Sequence, residues 1–209
     1  MALSADVVRA NLEEVRDEIG RDDVEIVVAV KYVDVEDLAA LQAAGVTHVG
    51  ENRAQELQRK AEAFPGFTWD FIGQLQSRKV KAVAPLVRCI HSVGSDSAIE
   101  QLRKLDERPQ LLAQVNIAGE EGKAGFAPAD LDRVVGEVAF DGLMIMPPFT
   151  EEPEDSRRWF AAARELAERH DLRELSMGTT QDFAVAVEEG ATKVRIGSRL
   201  FGRNLAAKG

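Results

Sequence analysis

Cysteine is nearly absent: Cys89 is the single one in 209 residues. No disulfide can close within the chain, and metal clusters built on cysteine pairs are excluded. Val87 and Ile90 beside it read as the setting of a buried strand thiol. Basic charge is short as well. Asp and Glu number 36 against 26 Lys and Arg, a formal net charge of −10. Gripping phosphate backbones requires the opposite balance, so no nucleic-acid partner is expected. The acid surplus is spread along amphipathic helices and serves solubility. No apolar run approaches the length of a membrane span, and Met1-Ala2-Leu3-Ser4 has neither the basic nor the apolar part of a secretory leader. The expectation is a cytoplasmic protein without a membrane partner. No linker-like or low-complexity tract divides the chain, so one domain over residues 1–209 is expected.

What the chain does have is alternation. Ser4 is placed to cap a first helix with Val8, Leu12, Val15 and Ile19 on one face, and Gly20 stops it. Residues 24–30 then form an apolar, β-branched run suited to a strand buried on both faces. Further strands are expected at 47–50, 69–72, 89–92, 110–117, 142–146, 174–177 and 193–197. Between them lie helical patterns marked by Leu38 and Leu41, Leu57 and Ala61, Val80 with Val83 and Val87, and Ile99 with Leu102 and Leu105. Pro128 opens a helix with Leu131, Val134, Val135 and Val138, and Trp159, Phe160, Ala163 and Leu166 mark a long one. A short helix from about Asp182 and a terminal one near Arg199 complete the series. Eight strand–helix units point to an α/β protein, a closed (β/α)₈ TIM barrel with one extra N-terminal helix. The loosest stretch, 118–125, follows the fifth strand and belongs at the barrel's C-terminal mouth, where such barrels build their sites.

Lys31 closes the most apolar strand and so projects toward that mouth. Partial desolvation there would lower its pKa and expose the neutral amine that a carbonyl needs for imine formation. A strand-end lysine that simply snorkels to solvent is the other reading. Gly178-Thr179-Thr180 follows the seventh strand and Gly197-Ser198 the eighth, the usual phosphate position of this architecture. Strands one and eight are neighbours in a closed barrel. A carbonyl-seeking lysine therefore lies beside a phosphate cradle, which suits a cofactor with an aldehyde and a phosphate, as in pyridoxal 5′-phosphate (PLP). Arg195 shares its side of the eighth strand with Gly197 and needs an acceptor inside the barrel. Either an inward acid pairs with it, or it bonds the pyridine nitrogen of PLP and weakens the ring as an electron sink.

Val28-Ala29-Val30-Lys31, Gly50-Glu51-Asn52, Phe71-Ile72-Gly73-Gln74-Leu75-Gln76, Gly142-Leu143-Met144 and the run from Val194 to Gly202 occur in that order. Together they resemble the YggS/PROSC family of PLP homeostasis proteins over nearly the whole chain. The resemblance implies the fold of the alanine racemase N-terminal domain, with PLP held as a Schiff base on Lys31. It implies Asn52 near the cofactor ring and Arg195 facing the pyridine nitrogen. Thr180, Gly197 and Ser198 would hold the phosphate, within a cofactor site that also takes in Gly178 and Thr179. The chain departs from the family pattern at Val30, at Tyr32, at Gln74, and at Gly178-Thr179-Thr180, where Gly-Met-Ser is usual.

The function implied is a carrier and regulator of PLP supply without robust turnover, with apo-enzymes as recipients and a monomer as the default state. The barrel uses nearly every residue and the chain stops seven residues after Gly202, leaving no room for the β-rich domain that brings a racemase its tyrosine. A narrow racemase with Tyr32 or His91 as the opposing acid/base is the alternative, and a Schiff-base aldolase acting on a phosphorylated sugar a further one. His91 and Asn116, at strand ends, could line the mouth or serve structure. His48 and His170 read as structural, and no metal site is expected. Lys123 reads as a solvated charge that could also take PLP on its way to clients.

Overall fold

The computed structural model describes residues 3–202. The expected domain span of 1–209 and the leader reading of Met1 and Ala2 reach beyond those residues. Eight parallel strands close in sequence order into a barrel: β1 Glu25–Ala29, β2 His48–Glu51, β3 Thr68–Phe71, β4 Cys89–Val93, β5 Gln110–Val115, β6 Gly142–Ile145, β7 Glu174–Thr179 and β8 Lys193–Ile196. Closure is made by β8 pairing with β1, with Val27 opposite Arg195 and Val28 opposite Ile196. The α-helices are α1 Ala5–Ile19, α2 Leu38–Ala43, α3 Ala54–Ala63, α4 Val80–Val83, α5 Asp96–Leu102, α6 Leu131–Val135, α7 Arg157–Arg169 and α8 Phe183–Glu188. The eight-unit alternation read from the sequence is the architecture observed.

Most residues of the helix stripes predicted from spacing are buried, while Ala61, Val87, Leu105, Val135 and Trp159 pack on the core half-buried. Val8, Leu12, Val15 and Ile19 of α1 all face the barrel, although the Ser4 side chain makes no capping bond. Several helices are shorter than their apolar patterns. Pro85 stands two residues past the end of α4, within a 3-10 segment, Ala84–Leu86, so Val87 lies outside the helix. Gly136 ends α6 before Val138, and the terminal helix near Arg199 is a 3-10 turn, Ser198–Phe201. Strand ends differ where pairing stops. β1 stops at Ala29 because the chain turns there, with the Val33 N–H bonded to the Val30 carbonyl. β5 stops at Val115 because the Asn116 N–H leaves the sheet for Phe126. β7 runs two residues further than expected and takes in Gly178 and Thr179.

The barrel interior departs from the usual filling of bulky branched residues. Cys89, Leu112 and Met144 make a small apolar cluster separate from the main core between sheet and helices. Around it, polar side chains meet across the barrel. His91 of β4 touches Ser176 of β7, and those strands are not neighbours. Among the described residues no helix is long and apolar enough to cross a membrane.

Candidate cofactor site

A cavity of about 370 Å³ opens at the C-terminal mouth, within the size range of small-molecule sites, roughly 300–1,000 Å³. Lys31, Tyr32 and Asn52 line it from the ends of β1 and β2. Thr179, Thr180, Arg195, Gly197 and Ser198 line it from β7, β8 and the turns that follow them. Seven of the eight residues expected at a cofactor site thus share one cavity. Gly178 is the exception. Its φ is +87°, and a Cβ there would lie 2.6 Å from the Ala186 Cβ and 2.9 Å from the Phe183 Cα. It lets β7 pass close beneath α8, and so delivers Thr179 and Thr180 to the cavity.

Lys31 sits two residues past β1, in a turn, and is exposed rather than desolvated. Its Nζ lies 4.9 Å from the centre of the Tyr32 ring, a cation–π contact. The peptide before it is fixed from both sides. The Val30 N–H donates to the Gly50 carbonyl at 2.9 Å, and the Val30 carbonyl accepts from Lys60 Nζ at 2.7 Å. Lys60 is itself paired with Glu51 at 2.5 Å, and both side chains are wholly buried. The other Glu51 oxygen accepts the Asn52 N–H at 2.7 Å and the Arg53 N–H at 3.1 Å. One carboxylate therefore ties Asn52, and one lysine the strand end before Lys31, into a single anchor. Sequence reading passed over both residues. The usable signal was the spacing, since Lys60 lies three residues after Leu57 and so on the inward face of α3.

Arg195 is buried, but among the described residues no acid pairs with it directly. Its Nη1 donates to the Ser176 carbonyl at 2.8 Å and the Ser176 Oγ at 2.6 Å, and its Nη2 to the Ile145 carbonyl at 2.9 Å. The inward acid considered from sequence is replaced by two carbonyls and a hydroxyl. Burial without a contacting counter-charge pushes its pKa down to about 10, against the more distant pull of Asp182. A guanidinium has five N–H donors and these bonds use at most three, so at least two remain for a ligand.

The phosphate side is less open than glycine and hydroxyl residues alone suggest. Thr179 Oγ1 already donates to Asp182 Oδ1 at 3.1 Å. Thr180 Oγ1 accepts the Gly197 N–H at 3.2 Å, which ties the turns after β7 and β8 together and leaves the Thr180 proton free to donate. The residues fit an aldehyde-bearing phosphate. The Asn52 Oδ1 is buried with no hydrogen-bond partner among the described residues. A Cβ on Gly197 would come no closer than 3.5 Å to its neighbours, so its missing side chain leaves room for a ligand rather than relieving a clash. Gly73, also in the wall, could not carry a Cβ at all, because it packs on the Asn52 backbone.

Other candidates lie elsewhere. His91 does not line the mouth; it is fully buried inside the barrel between Asp70 and Ser176. Asn116 fastens the 118–125 loop through two bonds to the Glu120 backbone. Lys123 is ion-paired with Glu120 rather than freely solvated. His48 pairs with Glu25 at the opposite end of the barrel, and His170 lies by Asp132. Cys89 is buried as expected, and burial pushes its thiol pKa up.

A family model described as "Alanine racemase, N-terminal domain" matches residues 3–204. A pyridoxal phosphate homeostasis protein from Aquifex aeolicus is 38% identical over 192 residues, covering 83% of this chain and 84% of that one. Another, from Pseudomonas aeruginosa, is 35% identical over 213 residues, covering 93% and 92%. Among solved structures, PipY of Synechococcus elongatus with PLP bound superposes with a TM-score of 0.79 at 30% identity, over 93% of this chain and all (100%) of that one. Alanine racemase from Corynebacterium glutamicum gives 0.79 at 14% identity, over 98% of this chain and 63% of its own, which is a likeness of fold.

Proposed function

The chain belongs to the pyridoxal phosphate homeostasis protein family, built on the alanine racemase N-terminal domain, and from that premise we propose that it binds PLP in the mouth cavity and governs its supply without robust turnover. The observation that carries the reading is convergence: Lys31 and the Thr180, Gly197 and Ser198 turns open on one cavity. Bound PLP would supply an aldehyde and a phosphate, and the Lys31 amine would be the group that holds the aldehyde. Thr180 and Ser198 would hydrogen-bond the phosphate through their hydroxyls, with Gly197 leaving it room. Asn52 would meet the polar edge of the ring. Arg195, which donates and has no lone pair with which to accept, would face the ring nitrogen and disfavour its protonation, keeping the ring a poor electron sink.

A racemase needs a second acid/base across the ring from the lysine. His91 is sealed in the barrel, and Tyr32 stands beside Lys31 on the same turn rather than opposite it. The carrier reading therefore stands ahead of the racemase and aldolase readings. It extends to apo-enzymes as recipients, to a monomeric state, to no nucleic-acid partner, and to work in the cytoplasm.

The test is absorbance of the PLP-loaded protein, wild type and Lys31→Ala, before and after borohydride. A visible band that Lys31→Ala lacks, with a reduced adduct on Lys31 alone, is expected. A band that survives in Lys31→Ala, or an adduct on another lysine, overturns the anchor.

A further inference from the structure

From the geometry inside the barrel we infer that Asp70, His91 and Ser176 form a positioning relay that holds Arg195 as a fixed donor toward the cofactor ring. The inference rests on the reading of Arg195 given above and adds what sets its orientation. Asp70 Oδ2 lies 3.1 Å from His91 Nε2, and His91 Nδ1 lies 2.8 Å from Ser176 Oγ. Ser176 Oγ accepts from Arg195 Nη1 at 2.6 Å. Asp70, His91 and Ser176 are all at most 0% exposed, so water cannot substitute for any link.

With His91 neutral the chain has one polarity. Burial alone would raise the Asp70 carboxyl, but hydrogen bonds from His91 and Arg88 outweigh it and hold the group below the usual carboxylate range. Asp70 is thus a carboxylate and only accepts. His91 Nε2 must then carry the proton it donates. Burial lowers the His91 pKa against the pull of Asp70, so the ring is neutral and Nδ1 is an acceptor. The Ser176 hydroxyl proton goes to Nδ1, and its oxygen lone pairs face Arg195, which can only donate. The neutral ring thus fixes the direction from the Asp70 end, and Arg195 takes up a lone pair that the Ser176 oxygen has left. A charged His91 would donate from both nitrogens and leave the Ser176 hydroxyl proton without its acceptor at Nδ1.

The arrangement resembles the triad of a nucleophilic serine, but it cannot work as one. Ser176 is buried, and its oxygen is occupied by the guanidinium. What the relay delivers is orientation. Three neutral acceptors locate Arg195 without cancelling its charge, and this cavity-lining side chain keeps at least two N–H groups unused. A carboxylate in place of Ser176 would hold the arginine as firmly but neutralise it.

The relay is tested with protein loaded with ring-¹⁵N PLP, reading the ring-nitrogen shift and the dissociation constant in wild type, Ser176→Ala, His91→Leu, His91→Gln and Arg195→Leu. Ser176→Ala and His91→Leu are expected to move the ring nitrogen toward its protonated shift and to weaken PLP about tenfold, the loss of one bond to a charged group. Borohydride should still trap PLP on Lys31 in both. His91→Gln, which keeps a donor and an acceptor, should restore much of the wild-type shift; a purely packing role for His91 would not be rescued this way. If Arg195→Leu moves the shift while Ser176→Ala leaves it at the wild-type value, the relay is wrong and the Arg195 reading survives. If Arg195→Leu also leaves it unchanged, both fall. Should His91→Leu not fold, Ser176→Ala, which removes a single oxygen, decides alone.

Discussion

Glu51 and Lys60 are charged and wholly buried, and they are paired: Lys60 Nζ donates to Glu51 and to the Val30 carbonyl, and Glu51 also accepts two backbone N–H groups. Removing one partner leaves the other as an unpaired buried charge, which costs about 3–5 kcal/mol. Lys60→Met should therefore lose about that much in urea unfolding. It should also slow borohydride trapping of PLP on Lys31, because the Val30 carbonyl loses its donor. Glu51→Gln with Lys60→Met should recover most of the stability, since no bare charge remains. A Lys60→Met protein within about 1 kcal/mol of wild type would show that the pair is not the anchor described. At this scale the sequence was a good guide to the residues that meet a ligand and a poor one to those that hold them. Lys31, Thr180 and Gly197 advertise themselves by type and position. Glu51, Asp70 and Ser176 are ordinary residue types whose meaning depends on partners from other strands, and no local spacing announces them.

At the scale of elements, the turn from β7 into α8 depends on one residue. Gly178→Ala would meet both a left-handed backbone and contacts of 2.6 and 2.9 Å to α8. Either alone destabilises, and together they should cost roughly 2–4 kcal/mol. The same substitution should push Thr179 and Thr180 out of line and weaken PLP binding, read by titration of the visible band. A Gly178→Ala protein with wild-type stability would mean that α8 shifts aside freely. Periodicity made the existence and order of all eight strands legible, because each is a short apolar run between amphipathic helices. Their ends were not legible in the same way. Whether β1 stops at Ala29 or β7 continues through Thr179 is decided by register against a neighbour far away in sequence. Helix ends were misjudged where Pro85 and Gly136 cut an apolar pattern short.

Across the whole molecule, the polar interior continues past the relay. Arg88 bonds both Asp70 and Glu25, and Lys193 bonds Glu174 and lies 3.7 Å from Glu25, so charged groups run from the mouth to the opposite end of the barrel. This makes stability depend on pH in two stages. His91 is held below its ordinary value in the folded chain, so its contribution is complete above about pH 6.5 and declines as pH falls from there, because the unfolded chain takes up the proton first. Asp70, Glu25 and Glu174 are also held below their ordinary values: His91 and Arg88 outweigh the effect of burial at Asp70, Arg88 and Lys193 at Glu25, and Lys193 and Thr192 at Glu174. Their contribution is complete above the ordinary carboxylate range near 4 and drains as pH drops through the folded values. Urea unfolding of the ligand-free protein from pH 8 to 3 should show a first decline starting near 6.5, at most about 1.4 kcal/mol per pH unit for the single proton on His91. A steeper decline should follow below about 4.5. In His91→Gln the difference from wild type should carry the first stage, and in Asp70→Asn the deficit at neutral pH should shrink once the carboxylates protonate. Parallel pH profiles for wild type and His91→Gln would mean that His91 takes up its proton as readily folded as unfolded, and the neutral imidazole on which the relay's direction depends would be lost with it.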